Sequence, residues 1–176
     1  MGAAPTEVRI PPMAWMPEEQ DQGAGSFYGS GQSQYRGRAG EERGMNVGLD
    51  TSVVLCLLIG KPPAQTAVAV AFLDDLQRRG ARAVVSDLVI SEAYFALQFH
   101  FKVTKAEALS SLALLLSTGE IAATGQAGKV LTQAGLASAK PGFVDRLIHA
   151  HYAAAGGTMA TFEKTAGKLP KVSVLK

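Results

Sequence analysis

Four acidic residues in this chain, Asp50, Glu92, Asp145 and Glu163, fall at equivalent places relative to its predicted elements. Asp50 ends the first predicted strand, and Glu92 lies in the early turns of the helix after the second. Asp145 sits in the first turn of a helix introduced by Pro141, and Glu163 follows the strand Thr158–Thr161 by two residues. In an open parallel sheet, strand C-termini and the helix N-termini that follow them gather on one edge, where active sites form. Carboxylates that share a pocket raise one another's pKa unless a cation neutralises them. A hard divalent ion, Mg2+ or Mn2+, does so through oxygen ligands and keeps waters of its own. Such an ion activates water and stabilises the charge that grows on a phosphate under attack.

Each acid also has a plain structural reading. Asp50 can cap the helix after it. Glu92 has Leu88 and Ala96 as its i−4 and i+4 neighbours, so no helical ion pair accounts for it; a surface-facing side chain would. Asp145 suits any helix first turn, with His149 one turn on as a bonding partner. Glu163 adjoins Lys164 in a polar turn, Asp87 reads as a cap, and Asp74 and Asp75 lie on a solvated face. The shared placement of the four, not any one of them, points to chemistry. His149 and His151 are two apart on a helix and share no face, so no paired zinc histidines arise. No Gly-rich phosphate loop and no Gly-x-Ser-x-Gly elbow occurs.

The elements that must position these residues alternate. A strand Val47–Asp50 leads into a helix capped by Thr51 or Ser52 that runs to Ile59, before Gly60 and Pro62-Pro63. A helix over 64–79 follows, with Val68, Phe72, Leu73 and Leu76 as its apolar side. Arg82–Val85 is the second strand, and Ser86 or Asp87 caps the nearly all-apolar helix Leu88–Phe99. Thr104 and Glu107 form a capping box for a helix over 106–116. Then come a strand over 120–124, a weaker helix over 126–137, a helix over 143–155, the strand Thr158–Thr161, and a last strand over 172–175. Strands alternating with helices of this length imply an α/β fold: a mostly parallel central sheet covered on both faces.

The 176 residues are 47% hydrophobic, enough for one core. Residues 1–44 hold four Lys/Arg against six Asp/Glu; residues 45–176 hold thirteen against nine, a mildly basic balance compatible with nucleic acid. The first 44 residues are rich in Gly, Pro, Ser, Gln and Glu without apolar period and read as a disordered extension, with Trp15, Arg36 and Arg38 as its candidate partner contacts. Met45 opens the ordered pattern and would also serve as a start codon. The lone Cys56, within an apolar run, reads as a core residue and excludes an internal disulfide. No apolar run has the length of a membrane span and no signal peptide is recognisable, so the expected compartment is the cytoplasm.

The segments Gly48-Leu49-Asp50-Thr51-Ser52, Val85 to Glu92, Asp145 to Ala150 and Thr158 to Lys164, closed by Leu169-Pro170-Lys171-Val172, together resemble the PIN-domain family. Within it they are most similar to the VapC-type ribonuclease toxins of toxin–antitoxin pairs. The resemblance spans residues 45–176 and implies a single three-layer α/β/α nuclease domain. It implies an Mg2+/Mn2+-dependent endoribonuclease in which Asp50, Glu92 and Asp145 hold the metal and hydrolyse RNA phosphodiesters with activated water. Glu163 stands where the family often has an aspartate, so its direct ligation stays open. Ser52 and Thr161 would support the ligands from behind. A homodimer and a small antitoxin are further implications. Arg78, Arg79, Arg82, Lys102, Lys105, Lys164 and Lys168 are candidates for the RNA backbone, and Tyr94 and Tyr152 for stacking on bases. Three alternatives stay open: a non-catalytic PIN-like RNA-binding or scaffold protein, a PIN nuclease of RNA processing outside a toxin–antitoxin pair, and a phosphatase or receiver-like enzyme. The last lacks its usual second aspartate, since Ser52 stands there.

Overall fold

The structure, a computed structural model, describes residues 44–176. The extension over residues 1–43, with Trp15, Arg36 and Arg38, lies outside the described residues. Five short strands alternate with helices: β1 (Asn46–Gly48), α1 (Thr51–Ile59), α2 (Pro63–Arg78), β2 (Arg82–Val85), α3 (Asp87–Phe99) and α4 (Lys105–Ser117). There follow β3 (Ile121–Ala123), α5 (Ala127–Leu131), α6 (Phe143–Ala154), β4 (Met159–Thr161), a 3-10 turn over Lys164–Lys168, and β5 (Val172–Val174). Strands β1, β2 and β3 pair in that order, all parallel, with Val47 beside Ala83 and Val84 beside Ala122. The α/β class and the parallel central sheet flanked by helices are therefore as the alternating pattern implied.

Strands β4 and β5 pair only with each other, also in parallel, and form a separate two-stranded ladder. Their composition accounts for this. Ala160 and Ser173 are exposed and the β5 valines only half-buried, whereas Ala83 and Val85 of the central β2 are buried. A strand closed in on both faces must be apolar on both.

The core lies between the sheet and helices α1, α3, α4 and α6, with Leu57, Ile90, Leu97, Leu112, Leu115, Ile121 and Phe143 fully enclosed. Each such side chain contributes about 1.5–3 kcal/mol relative to exposure. Cys56 is buried, as its apolar context predicted, with Sγ 3.3 Å from Thr66 Oγ1. Tyr94 packs edge-on against Phe143 in this core, which removes it as a base-stacking residue. The inward side of α2 is Thr66, Ala69, Leu73 and Leu76; Val68, expected there, is exposed. The helix expected over 126–137 stops at Leu131, because Gly128 weakens it and the chain turns through Gly135 at φ +68°. No single helix among the described residues is long and apolar enough to cross a membrane.

Candidate active site

The strand containing Asn46 ends at Gly48, and Leu49 N–H still donates to Val84 O at 2.8 Å. Asp50 then leaves the sheet and serves as the N-cap of α1, accepting from Val53 N–H at 3.0 Å through Oδ1. This corrects the expectation that Thr51 or Ser52 caps that helix. The same oxygen accepts from Ser52 Oγ at 2.8 Å, so Ser52 fixes the rotamer of Asp50. The Val53 amide first, and the Ser52 hydroxyl second, hold the Asp50 carboxyl below its ordinary value of 3.8.

The second acid is brought to the same helix end by α1 itself. Glu92, in the second turn of α3, is exposed and accepts from Thr51 Oγ1 at 2.5 Å through Oε2. Its side chain is thus neither buried nor idle. Ser86 caps α3 through Val89 N–H at 3.3 Å. Asp87, free of that duty, instead accepts from Gln126 N–H at 2.9 Å and Ala127 N–H at 2.8 Å, capping α5 across the sheet edge. Gly125 lies against this carboxylate so closely that a Cβ there would stand 2.3 Å from it. The sequence reading of Asp87 as a cap was right in kind but assigned it to the wrong helix.

The remaining two acids share a different hollow. Asp145, in the first turn of α6, and Glu163, after β4, line a cleft of about 530 Å3 together with Lys105, Lys140, Gly142 and Thr165. Glu163 accepts from Thr165 N–H at 2.9 Å and Thr165 Oγ1 at 2.8 Å through Oε1. Its own N–H donates to Thr161 Oγ1 at 3.0 Å. The Thr165 amide, the Thr165 hydroxyl and the Lys140 charge lower the Glu163 carboxyl from its ordinary value of 4.5. Asp145 makes no hydrogen bond or ion pair with His149, whose Nε2 lies 2.8 Å from Pro170 O and ties α6 to the C-terminal ladder. Arg146 turns away to Pro141 O and Gln133 Oε1.

The four acids therefore stand as two pairs: Asp50 and Glu92 linked through Thr51, Asp145 and Glu163 facing one cleft. Among the described residues no three carboxylate, imidazole or thiol groups converge closely enough to hold a metal ion together. The donor chemistry does suit a hard cation. Hydrogen bonds engage one oxygen of Glu92 and one of Glu163, and Asp145 makes none among the described residues.

Of the basic residues, Arg78 and Arg79 pair with Asp75, and Arg82 opens β2 beside Asn46. These three lie at the strand N-terminal edge, opposite the end of β1 that leads to Asp50. Lys105 is in the cleft, as is Lys140, which sequence reading passed over. Its place in Lys140-Pro141-Gly142, just before the Asp145 helix, was the available signal.

No curated protein and no solved structure matches the chain. The family model described as PIN domain matches residues 47–172, from within β1 to the first residue of β5. Its span takes in all four acids and strands β2, β3 and β4, and on that match the chain belongs to the PIN-domain family.

Proposed function

We propose that this chain is a metal-dependent endoribonuclease that hydrolyses RNA phosphodiesters with Mg2+ or Mn2+, and that it is the toxin of a toxin–antitoxin pair. The observation that carries the nuclease reading is the Thr51–Glu92 hydrogen bond. It draws an acid from the helix after β2 to Thr51, 41 residues earlier, at the helix end that Asp50 caps. Within a PIN domain, that is the edge where carboxylates would hold a cation.

In this reading Asp50, Glu92 and Asp145 are the ligands, with Glu163 from the ladder side. Ser52 sets the rotamer of Asp50, and Thr161 holds the backbone of Glu163. A divalent ion, when bound, supplies positive charge against the scissile phosphate and acidifies water. The backbone amides of Val53 and Thr165 keep the Asp50 and Glu163 carboxylates ionised and so ready to ligate.

Partners follow from exposed apolar surface. Phe95 and Phe99, in the later turns of α3 beyond Glu92, are 44% and 66% exposed, which supports a homodimer through the C-terminal half of that helix. A groove of about 510 Å3 between α1 and α2, lined by Ser52, Val53, Cys56 and Val68, offers an apolar seat beside Asp50 for a small antitoxin.

The test is Mn2+ titration calorimetry and RNA cleavage on the full chain, on Asp50→Asn and on Glu163→Gln. The reading expects binding and cleavage, both lost in Asp50→Asn. Growth arrest on expression, relieved by Asp50→Asn, is expected of a toxin; cleavage without arrest would assign the chain to RNA processing. The arrangement of the acids as two pairs favours one competitor, a non-catalytic PIN-like RNA-binding scaffold. RNA binding without Mn2+ binding or cleavage would remove the nuclease reading and put that alternative in its place.

A further inference from the structure

The cleft that holds Asp145 and Glu163 is not simply acidic. Lys105, the first residue of α4, and Lys140, on the loop before α6, line it from two separate elements. Neither lies within 4.0 Å of a carboxylate oxygen among the described residues, so neither ammonium group is spent in an ion pair. The two cations offset the two carboxylates, and the cleft carries no net charge. Gly142 forms part of the wall. The point where a Cβ on Gly142 would sit is 4.0 Å from Lys105 Nζ and 3.9 Å from Asp145 Oδ2, so a cation and a candidate catalytic acid flank the same small space. Phe162, which precedes Glu163, is 74% exposed.

We infer that Lys105 and Lys140 form a phosphate clamp that seats the backbone of single-stranded RNA in this cleft, beside Asp145 and Glu163. The inference rests on the endoribonuclease reading and assigns its substrate contacts. An acidic site that takes a polyanion must offset its own repulsion before any cation arrives. Two lysines on different elements do this and also fix the strand between them. Backbone contacts of this kind give affinity and register without reading sequence. Phe162, exposed on the residue before Glu163, is available to stack an unpaired base, a contact that a free phosphate ion would not use.

The test is fluorescence anisotropy of a labelled single-stranded oligoribonucleotide with the full chain in EDTA, across a salt series, with cleavage in Mn2+ measured in parallel. Lys105→Gln and Lys140→Gln should each weaken binding roughly three- to tenfold and reduce the slope of log affinity against log salt by about 0.7, the counterion release of one phosphate contact on a single strand. Lys→Arg at either position should restore the slope, which a purely structural role would not require. Gly142→Ala, whose methyl group meets only ordinary contacts, should weaken binding with the slope unchanged. Inorganic phosphate at equal ionic strength should compete poorly; effective competition would make the cleft a free-phosphate site and overturn the assignment to RNA. Unchanged affinity and slope in the double Lys→Gln variant, with cleavage by the unmodified protein intact, would remove the clamp and leave the nuclease reading standing. If the unmodified protein neither binds nor cleaves RNA, the nuclease reading fails and the clamp with it.

Discussion

Thr51 Oγ1 donates to Glu92 Oε2 at 2.5 Å, joining the first residue of α1 to the second turn of α3. Thr51→Val keeps the shape and removes the donor. Loss of a hydrogen bond to a charged group at a half-open site should cost about 1 kcal/mol, read by chemical denaturation. RNA cleavage should fall roughly tenfold as Glu92 loses its fixed position. Thr51→Ser should retain both properties. Equal cleavage by the valine variant would show that Glu92 does not need Thr51.

Asp50 is both a helix cap and the proposed principal ligand, and two substitutions separate these roles. Asparagine caps nearly as well as aspartate, so Asp50→Asn should unfold close to the unmodified protein yet lose cleavage. Asp50→Ala should lose cleavage and also about 1 kcal/mol of stability. Thermal melts beside activity decide it: an active Asp50→Asn would leave only the cap.

Gly125→Ala should be among the most damaging single changes outside the core. The new Cβ would overlap the Asp87 carboxylate, which must then release the amides of Gln126 and Ala127. Two charge-assisted bonds are at stake, and a loss of about 2 kcal/mol or more is expected. Once Asp87→Ala has removed the carboxylate, Gly125→Ala should cost much less. Additive losses in that double-mutant cycle would contradict the contact.

Glu120 sets a pH dependence. Partial burial, and then the Asp74 charge, raise its carboxyl above the ordinary 4.5. The unfolded chain therefore releases this proton at lower pH than the folded one. Glu120 lowers stability progressively as pH rises from the ordinary value to the raised one, after which its effect is constant. Glu120→Gln should gain stability relative to the unmodified protein at pH 7 and show little gain at pH 3.5. Melting temperatures at both values provide the check, and an equal gain at both would exclude the titration.

The exposed pair Phe95 and Phe99, with ring centroids 6.1 Å apart, should lie at the centre of the homodimer. The double change to serine should leave the fold intact, because both rings are already largely outside the core, and should convert a dimer to a monomer in light scattering. A monomeric unmodified protein would remove the dimer from the proposal.

The class of the fold was legible because strand and helix periods alternate cleanly from Asn46 onward. Strand β2 was read at its observed limits, Arg82–Val85. The positions of Asp50 at the start of α1 and of Asp145 in the first turn of α6 were legible too, from the capping residue and from Pro141 respectively. What sequence could not convey is which donor each acid accepts from. Asp50 and Glu163 take local backbone amides, but Glu92 depends on a threonine 41 residues away. Lys140 was missed because a single lysine in a loop has no period; its place just before the Asp145 helix ties it to Asp145, but only the folded cleft puts it with Glu163 as well. Val68 was misread because the inward face of α2 includes a threonine, bonded through Oγ1 to Pro62 O at 3.2 Å, in place of a purely apolar stripe.

The separate β4–β5 ladder has a kinetic consequence. It shares no strand pairing with the central sheet, so its amides can exchange with solvent through openings that leave β1–β3 closed. Glu163 rides on that ladder, whereas Asp50 is anchored where the central sheet ends. A strand bound beside Glu163 should therefore register as slowed exchange in the β4–β5 amides while those of β1–β3 stay unchanged.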